Sequence, residues 1–329
     1  MKILVLRFSS IGDIVLSSPV VRCLKRQINA EVHFLTKRQY EPILRPNPYI
    51  DQVFSFQKRV REVLPALKNE QYDWVIDLHH NLRSQRIKLS LYRPSRSFDK
   101  LNFEKWLLVN FKLDWLPEQS IVHRYMDTLG HLGVEYDGQG LDFFIPQEEE
   151  VDPAQLSPLL VPEGYIAFVI GATHATKRLP ADKIIAICRL LKTPVVLLGG
   201  SAEMEVGRQI ASAAGAHVIN LCGSLSLHQS ASVVRQAAKV AAHDTGLMHI
   251  AAAFRKDIVS IWGNTVPKFG MYPFYPDGMN RNTSIEMKDL PCRPCSKIGH
   301  KRCPKKHFRC MNALDNVQIC SALAPGQAL

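Results

Sequence analysis

Four short stretches hold the residue types from which a group-transfer site can be built. Arg7-Phe8-Ser9-Ser10-Ile11-Gly12-Asp13 offers a carboxylate, Asp13, where an apolar run gives way to a helical pattern. Gly171-Ala172-Thr173-His174-Ala175-Thr176-Lys177-Arg178 combines small residues, which let a ligand approach the backbone, with Lys177, a compact cation for a phosphate. Gly199-Gly200-Ser201-Ala202-Glu203 is a second Gly-containing turn between a strand and a helix. Asp244-Thr245-Gly246-Leu247-Met248-His249 opens an Ala-rich segment, so the free N–H groups of a helix N-terminus belong beside Asp244 and Thr245. Each stretch also has a plainer reading, because Asp13, Glu203 and the Asp244-Thr245 pair are ordinary helix-capping types. On residue type alone the two readings stand side by side.

Two further groups carry charge or sulfur. From Asn81 to Lys112 there are eight Lys or Arg residues against two acids, Asp99 and Glu104. That run describes either a solvated basic face or a groove in which Arg83, Arg86 and Arg93 meet an anionic acceptor. Near the C-terminus, Cys292, Cys295, Cys303 and Cys310 are spaced C-x₂-C-x₇-C-x₆-C, with His307 inside and basic residues interleaved. The first pair has the spacing of a tetrahedral zinc site, but the second half lacks a matching C-x₂-C. Structural zinc is therefore an alternative to reduced cysteines clustered in a loop.

Composition bounds the partners. The net charge of +11 implies something anionic: nucleic acid, a phosphate-rich small molecule or a membrane surface. Hydrophobic content of 46% and charged content of 22% are those of a globular protein, and 329 residues suit about two domains. No apolar run approaches the ~18 residues needed to cross a bilayer. Arg7 cuts the first apolar run, which reads as a buried strand rather than a secretory signal, so a cytoplasmic location is expected. Eight cysteines in that compartment argue against disulfides, and Cys23, Cys188 and Cys222 fall in apolar segments as small core residues. No aromatic-rich single-strand platform is seen beside the basic stretches, which counts against a nucleic-acid binder.

The elements that must position these residues follow from periodicity. Lys2–Leu6, Glu31–Thr36, Gln52–Phe56 and Tyr72–Asp77 read as strands separated by helix-length segments. After a polar, Pro-punctuated stretch over 145–162 the pattern restarts, with strands at Tyr165–Ile170, Pro194–Leu198, Val218–Leu221, Lys239–His243 and Ile258–Trp262. Helices are expected at Asp182–Leu191, Glu203–Ala214 and His228–Ala238. This is an α/β chain of two wound parallel halves, cut at 155/156 into domains 1–155 and 156–329. The first loop holds neither G-x-G-x-x-G nor a P-loop pattern, so dinucleotide or NTP binding of those kinds is not supported.

The ordered set Arg7–Asp13, Thr176-Lys177-Arg178-Leu179-Pro180, Gly199–Glu203 and Asp244–His249 resembles the lipopolysaccharide heptosyltransferases, the ADP-heptose-using glycosyltransferase family 9. The tail around Cys292, Cys295, Cys303, His307 and Cys310 resembles the heptosyltransferase II branch. The resemblance runs nearly end to end. It implies a GT-B enzyme: two Rossmann-like domains facing across a cleft, acceptor on the N-terminal one and nucleotide sugar on the C-terminal one. It implies Asp13 as catalytic base; Ser10 and Gly12 of the same loop, with Arg83 and Arg86 of the basic run, are expected on the acceptor side. For the donor it implies Lys177, Glu203 (with a slip toward Glu205 as an alternative), Asp244, Thr245, Gly246, Leu247 and His249. An inverting transfer from ADP-heptose to an anionic lipopolysaccharide precursor needs one base, and Lys177 with helix N–H groups can meet the leaving charge without a cofactor. Expected partners are the nucleotide sugar, that acceptor and the inner membrane's cytoplasmic face, with no nucleic acid. A same-fold transferase with another donor or glycan acceptor is the alternative.

Overall fold

The computed structural model describes residues 1–324. The chain divides into two compact units. Unit 1 holds Met1–Leu101, Gln119–Phe144 and Pro276–Gly278; unit 2 holds Asn102–Glu118, Ile145–Tyr275 and the chain from Met279 onward.

Unit 1 carries β1 (Lys2–Leu6), β2 (Glu31–Lys37), β3 (Gln52–Phe56), β4 (Trp74–Asp77) and β5 (Ser95–Ser97). All pair in parallel, in the order β3-β2-β1-β4-β5. The run Ile3-Leu4-Val5-Leu6 is wholly buried, as a central strand covered on both faces must be. Leu6 pairs with Leu35 of β2 and Asp77 of β4, so the loops leaving β1 and β4 emerge side by side. The first loop enters α1 (Ile11–Leu16) and then α2 (Ser18–Ile28), and the second enters α3 (Leu82–Leu91). Asn81 starts α3, its side chain accepting from Arg83 N–H at 2.9 Å and Ser84 N–H at 3.1 Å.

Unit 2 begins in chain order with α4 (Asn102–Phe111). Its sheet contains β6 (Ile166–Val169), β7 (Val195–Leu198), β8 (Val218–Asn220), β9 (Lys239–His243), β10 (Asp257–Trp262) and β11 (Asn282–Glu286). The order β11-β10-β9-β6-β7-β8, all parallel, is that of a complete dinucleotide-type fold with its switch between β6 and β9. Helices α5 (Ala181–Leu190), α6 (Met204–Ala214), α7 (Leu227–Gln236) and α8 (Gly246–Ala253) are the crossovers, and α9 (Asn316–Leu323) packs on α5. Among the described residues no helix is long and apolar enough to cross a membrane.

The expected strands and helices form, with ends moved by one or two residues; β5 and β11 were not anticipated. The polar stretch after residue 145 belongs to unit 2 rather than hanging between the units. Ser232 Oγ donates to Glu150 at 2.7 Å, Arg235 pairs with Glu150 at 2.6 Å, and Ser226 Oγ donates to Glu149 at 2.7 Å, so α7 holds it. The N-terminal run of unit 1 thus ends at Phe144, whereas the sequence pattern cuts at 155/156; 102–118 groups with unit 2, and Pro276–Gly278 returns to unit 1.

Arg22 anchors the helix that follows the Asp13 loop. Its guanidinium is buried and grips Asp137 through Nε and Nη2 at 2.7 and 2.8 Å, Asp142 through Nη1, and the Gly140 carbonyl at 2.8 Å. Removing it leaves two partly buried carboxylates without their cation. Arg22→Ala is expected to lower the unfolding free energy by about 3–5 kcal/mol, measured by urea titration. A loss below ~1 kcal/mol, the range of exposed pairs, would show that the network is worth no more than a surface one.

Candidate active site

In unit 1, Asp13 sits in the first turn of α1 and does two things at once. One carboxylate oxygen accepts from Ser10 N–H at 3.0 Å and Ser10 Oγ at 2.8 Å, which is the capping contact; the other pairs with the Arg7 guanidinium. Arg7 is buried, donates to Ser9 O at 2.8 Å and to Leu78 O, and lies 5.7 Å from the centre of the Tyr125 ring. Burial pushes the Asp13 pKa up, but the Arg7 charge and the Ser10 bonds outweigh it and hold the carboxyl below the usual carboxylate range. Asp13 is therefore an ionised carboxylate, 14% exposed, pinned in one orientation. Ser10 is exposed and Gly12 is buried beneath it.

The neighbouring loop is organised by Asp77, which is fully buried. Its carboxylate accepts from His79 N–H at 3.0 Å and His80 N–H at 2.7 Å and meets Lys88 of α3 at 3.1 Å. His79 packs on Phe8, ring centres 4.5 Å apart, and burial with the Arg7 charge lowers its pKa to about 4. Arg83 and Arg86 both lie on the exposed side of α3.

In unit 2, the loops after β6 and β9 meet at the switch point. Lys177 Nζ lies 2.6 Å from Asp244 Oδ2, which also accepts from Thr265 Oγ1 at 3.0 Å. Both members of the ion pair remain partly open, at 15% and 11% exposed. An ammonium carries three N–H bonds, so one bond to Asp244 leaves donors for a phosphate. Thr245 precedes α8 with extended backbone and no side-chain cap, and Gly246 and Leu247 form the partly exposed first turn. His249 is buried within α8, behind that turn.

Glu203 takes a supporting position. Its carboxylate closes on Gly200 N–H at 3.0 Å and on Arg178 at 3.1 Å, and the residue is 7% exposed. The Gly200 contact is that of a capping acid, and the Arg178 contact ties the Gly199–Glu203 turn to the loop that carries Lys177. Glu205 points outward on α6 and pairs with Arg208 at 2.6 Å. His243 fastens the Lys177 loop from below: burial, then the Arg178 charge, lowers its pKa to about 4, and its neutral Nε2 accepts from Leu179 N–H at 2.9 Å.

A support that sequence reasoning left out is Arg293. Buried beside the β10 end, it donates to Gly263 O at 2.6 Å and Thr265 O at 2.8 Å and pairs with Glu286 at 2.6 Å. Gly263 is required there, because a Cβ would stand 2.5 Å from Thr176 O. His300 completes the brace, its backbone N–H donating to Thr176 Oγ1 at 2.8 Å while its carbonyl accepts from Thr176 N–H at 3.2 Å. Its only sequence signal is a cation between two cysteines.

Among the described residues, the four cysteines and His307 form no group with three ligand atoms within metal-binding reach of one another. Cys292, Cys295 and Cys303 are half-buried, Cys310 is buried, and all are free thiols. Among the described residues, one group brings three ligand atoms within metal-binding reach, Glu31, His33 and Glu70, and Lys2 occupies it at 3.1 and 2.7 Å from the two glutamates.

Two parallel α/β units of this kind make up the GT-B glycosyltransferase fold. Residues 60–306 match the profile of glycosyltransferase family 9 (heptosyltransferase), and the chain belongs to that family. It is 23% identical over 289 residues to lipopolysaccharide heptosyltransferase 1 of Campylobacter coli, covering 80% of this chain and 84% of the relative. The fold is shared with a family 9 glycosyltransferase from Veillonella parvula, at TM-score 0.75 and 19% identity, covering 98% of this chain and 95% of that one. It is also shared with an Escherichia coli heptosyltransferase solved with ADP-2-deoxy-2-fluoro heptose, at TM-score 0.64 and 20% identity, covering 91% and 96%.

The Arg7–Asp13 pair has a definite pH consequence. It stabilises the fold above the pKa of an unfolded aspartate, and that contribution is lost as pH falls through the lowered folded value. In Arg7→Gln the Ser10 bonds alone oppose burial, so the Asp13 carboxyl is expected to titrate at higher pH than in the wild type, read by NMR of the labelled carboxyl carbon. An unchanged titration would assign the lowered value to Ser10 alone.

Proposed function

We propose that this glycosyltransferase moves a heptosyl group from ADP-heptose to the inner core of lipopolysaccharide. The observation that carries the reading is the Lys177–Asp244–Thr265 cluster beside the first turn of α8, at the switch point of the unit 2 sheet. A nucleoside diphosphate needs a compact cation and helix N–H groups converging on its oxygens, and that is the chemistry present there. Lys177 binds the diphosphate, oriented by Asp244; the Thr245, Gly246 and Leu247 N–H groups supply the remaining donors. Glu203 and His249 act as supports of this site, Glu203 by holding Arg178.

Asp13 takes the acceptor hydroxyl's proton as that oxygen bonds to the anomeric carbon and the carbon–oxygen bond to ADP breaks on the opposite face. The configuration inverts, and ADP leaves with its charge neutralised by Lys177 and the α8 dipole. A carboxylate held ionised below the usual range is a weak base in isolation. Proton transfer therefore accompanies bond formation, when the attacking oxygen has become acidic. Ser10 and the buried Gly12 shape the approach to Asp13, and exposed Arg83 and Arg86 bind phosphate on the acceptor. The acceptor is lipid-linked, so the enzyme works at the cytoplasmic face of the inner membrane, where its +11 charge favours an anionic leaflet.

Thermal-shift titration with ADP-, UDP-, GDP- and CMP-sugars tests the donor. Stabilisation by ADP-heptose alone is expected, and selectivity for a UDP- or GDP-sugar would replace the proposal with another donor class. Asp13→Asn should keep the ADP-heptose shift while transfer to a deacylated, water-soluble acceptor drops by about 10²–10⁴. Lys177→Ala should lose the shift itself. Substantial turnover by Asp13→Asn would sink the base assignment.

A further inference from the structure

The stretch that closes the basic run builds an aromatic surface that charge counting did not anticipate. Phe103, Trp106, Phe111, Leu113 and Trp115 are each between 49% and 65% exposed, and Ile298 is 58% exposed. The rings touch one another: Phe103 and Trp106 stack at 6.2 Å and 20°, Trp115 meets Phe103 at 6.4 Å, and Phe111 meets Trp106 edge-on at 5.1 Å. These rings lie within and just after the basic run Asn81–Lys112. A contiguous exposed patch of this kind marks an interaction site rather than scattered surface residues.

The backbone beneath it is tied down. Leu107, Leu108 and Leu116 are buried, Asp114 pairs with Lys268, and Lys112 Nζ donates to Val109 O at 2.8 Å and Pro294 O at 2.7 Å. Lys297 Nζ donates to Asn102 Oδ1 at 3.1 Å. These last two bonds stitch α4 to the segment Arg293–Arg309, which has seven Lys or Arg residues and no acid. Unit 2 therefore presents Trp, Phe and aliphatic side chains on a fixed scaffold joined to a strongly basic strip.

We infer that α4, the turn to Trp115 and the attached basic segment form the docking surface of this enzyme for an anionic lipid bilayer. Aromatic rings and Leu or Ile side chains enter the boundary between headgroups and acyl chains, while lysines and arginines beside them pair with lipid phosphates. Leu113 and Ile298 offer no ring face for a base to stack on, which disfavours a single-stranded nucleic acid on the same patch. The inference deepens the membrane part of the proposed function and rests on it.

Co-sedimentation with vesicles tests the surface on the full-length enzyme. Wild type is expected to bind vesicles containing about 30% phosphatidylglycerol, to bind pure phosphatidylcholine far less, and to be released by salt. A Trp106→Ser, Trp115→Ser double variant should partition about tenfold less or weaker still. A Val317→Ser variant, altered at an exposed residue on α9, should partition as wild type. The ADP-heptose thermal shift and transfer to the deacylated acceptor should be unchanged in both. Equal partitioning of the double variant would overturn this surface but leave the membrane reading standing, whereas failure of wild type to bind anionic vesicles would overturn both. Stronger binding to a single-stranded oligonucleotide than to anionic vesicles, lost in the double variant, would also overturn it.

Discussion

The parallel pairing of β6 with β9 is the constraint on which the Lys177–Asp244 cluster depends. Val169 pairs with Ala242, so the loops leaving the two strands begin within a residue of each other and turn to opposite faces. That divergence is what opens a ligand position above a sheet edge. Lys177 and Asp244 are far apart in sequence and meet only because of it. The loop carrying Lys177 is then fixed from three sides: His243 takes its Leu179 N–H, His300 brackets Thr176, and the Gly263 backbone passes against Thr176 where a side chain would not fit. A lysine on an unsupported loop would spend conformational entropy at every binding event; one held this way has lost it on folding.

Unit 1 solves a different problem with the same parts. A carboxylate near the carboxyl edge of a sheet, surrounded by apolar side chains, tends to take up a proton. Arg7 prevents this at the cost of burying a guanidinium, which is repaid by carbonyls of Ser9 and Leu78 and by the Tyr125 ring. The neighbouring loop is held by Asp77, again a buried carboxylate with a cation, Lys88, and two backbone N–H groups. Each unit therefore presents a carboxylate oriented by a cation from its own sheet edge, and the backbone supplies what the side chains leave unsatisfied.

Much of this was legible in the sequence. Apolar runs of four to six residues bounded by turn residues gave the central strands within a residue or two, because burial on both faces demands an unbroken hydrophobic stretch. The strands that escaped, Ser95-Arg96-Ser97 and Asn282–Glu286, are short and polar sheet edges, formed by pairing with a neighbour rather than by their own pattern. The turns that carry the site were visible as Gly, Ser, Thr and Asp after such runs. Their partners were not: nothing near Asp13 announces that Arg7 folds back onto it, and nothing near Lys177 points to Asp244. Glu203 was readable as either a cap or a ligand group, and its choice of Gly200 and Arg178 follows from the turn's three-dimensional closure. The aromatic patch escaped for a related reason. Phe103, Trp106, Phe111 and Trp115 lie among buried leucines, and only the direction of each side chain separates core from surface.

The cysteine-rich segment shows how a long irregular stretch is held in a compact unit. Runs of this length without regular structure need some other source of order. Arg293 supplies much of it, gathering the carbonyls of Gly263, Met287 and Thr265 and the Glu286 carboxylate around one guanidinium. His307 fixes a further point. Its Nδ1 accepts from Arg309 N–H at 3.0 Å, and its Nε2 faces Cys292 Sγ at 3.7 Å. The histidine inside the cysteine spacing is thus a hydrogen-bonding partner of Cys292, and the segment's order comes from an arginine and backbone carbonyls that also position the strand end behind Asp244.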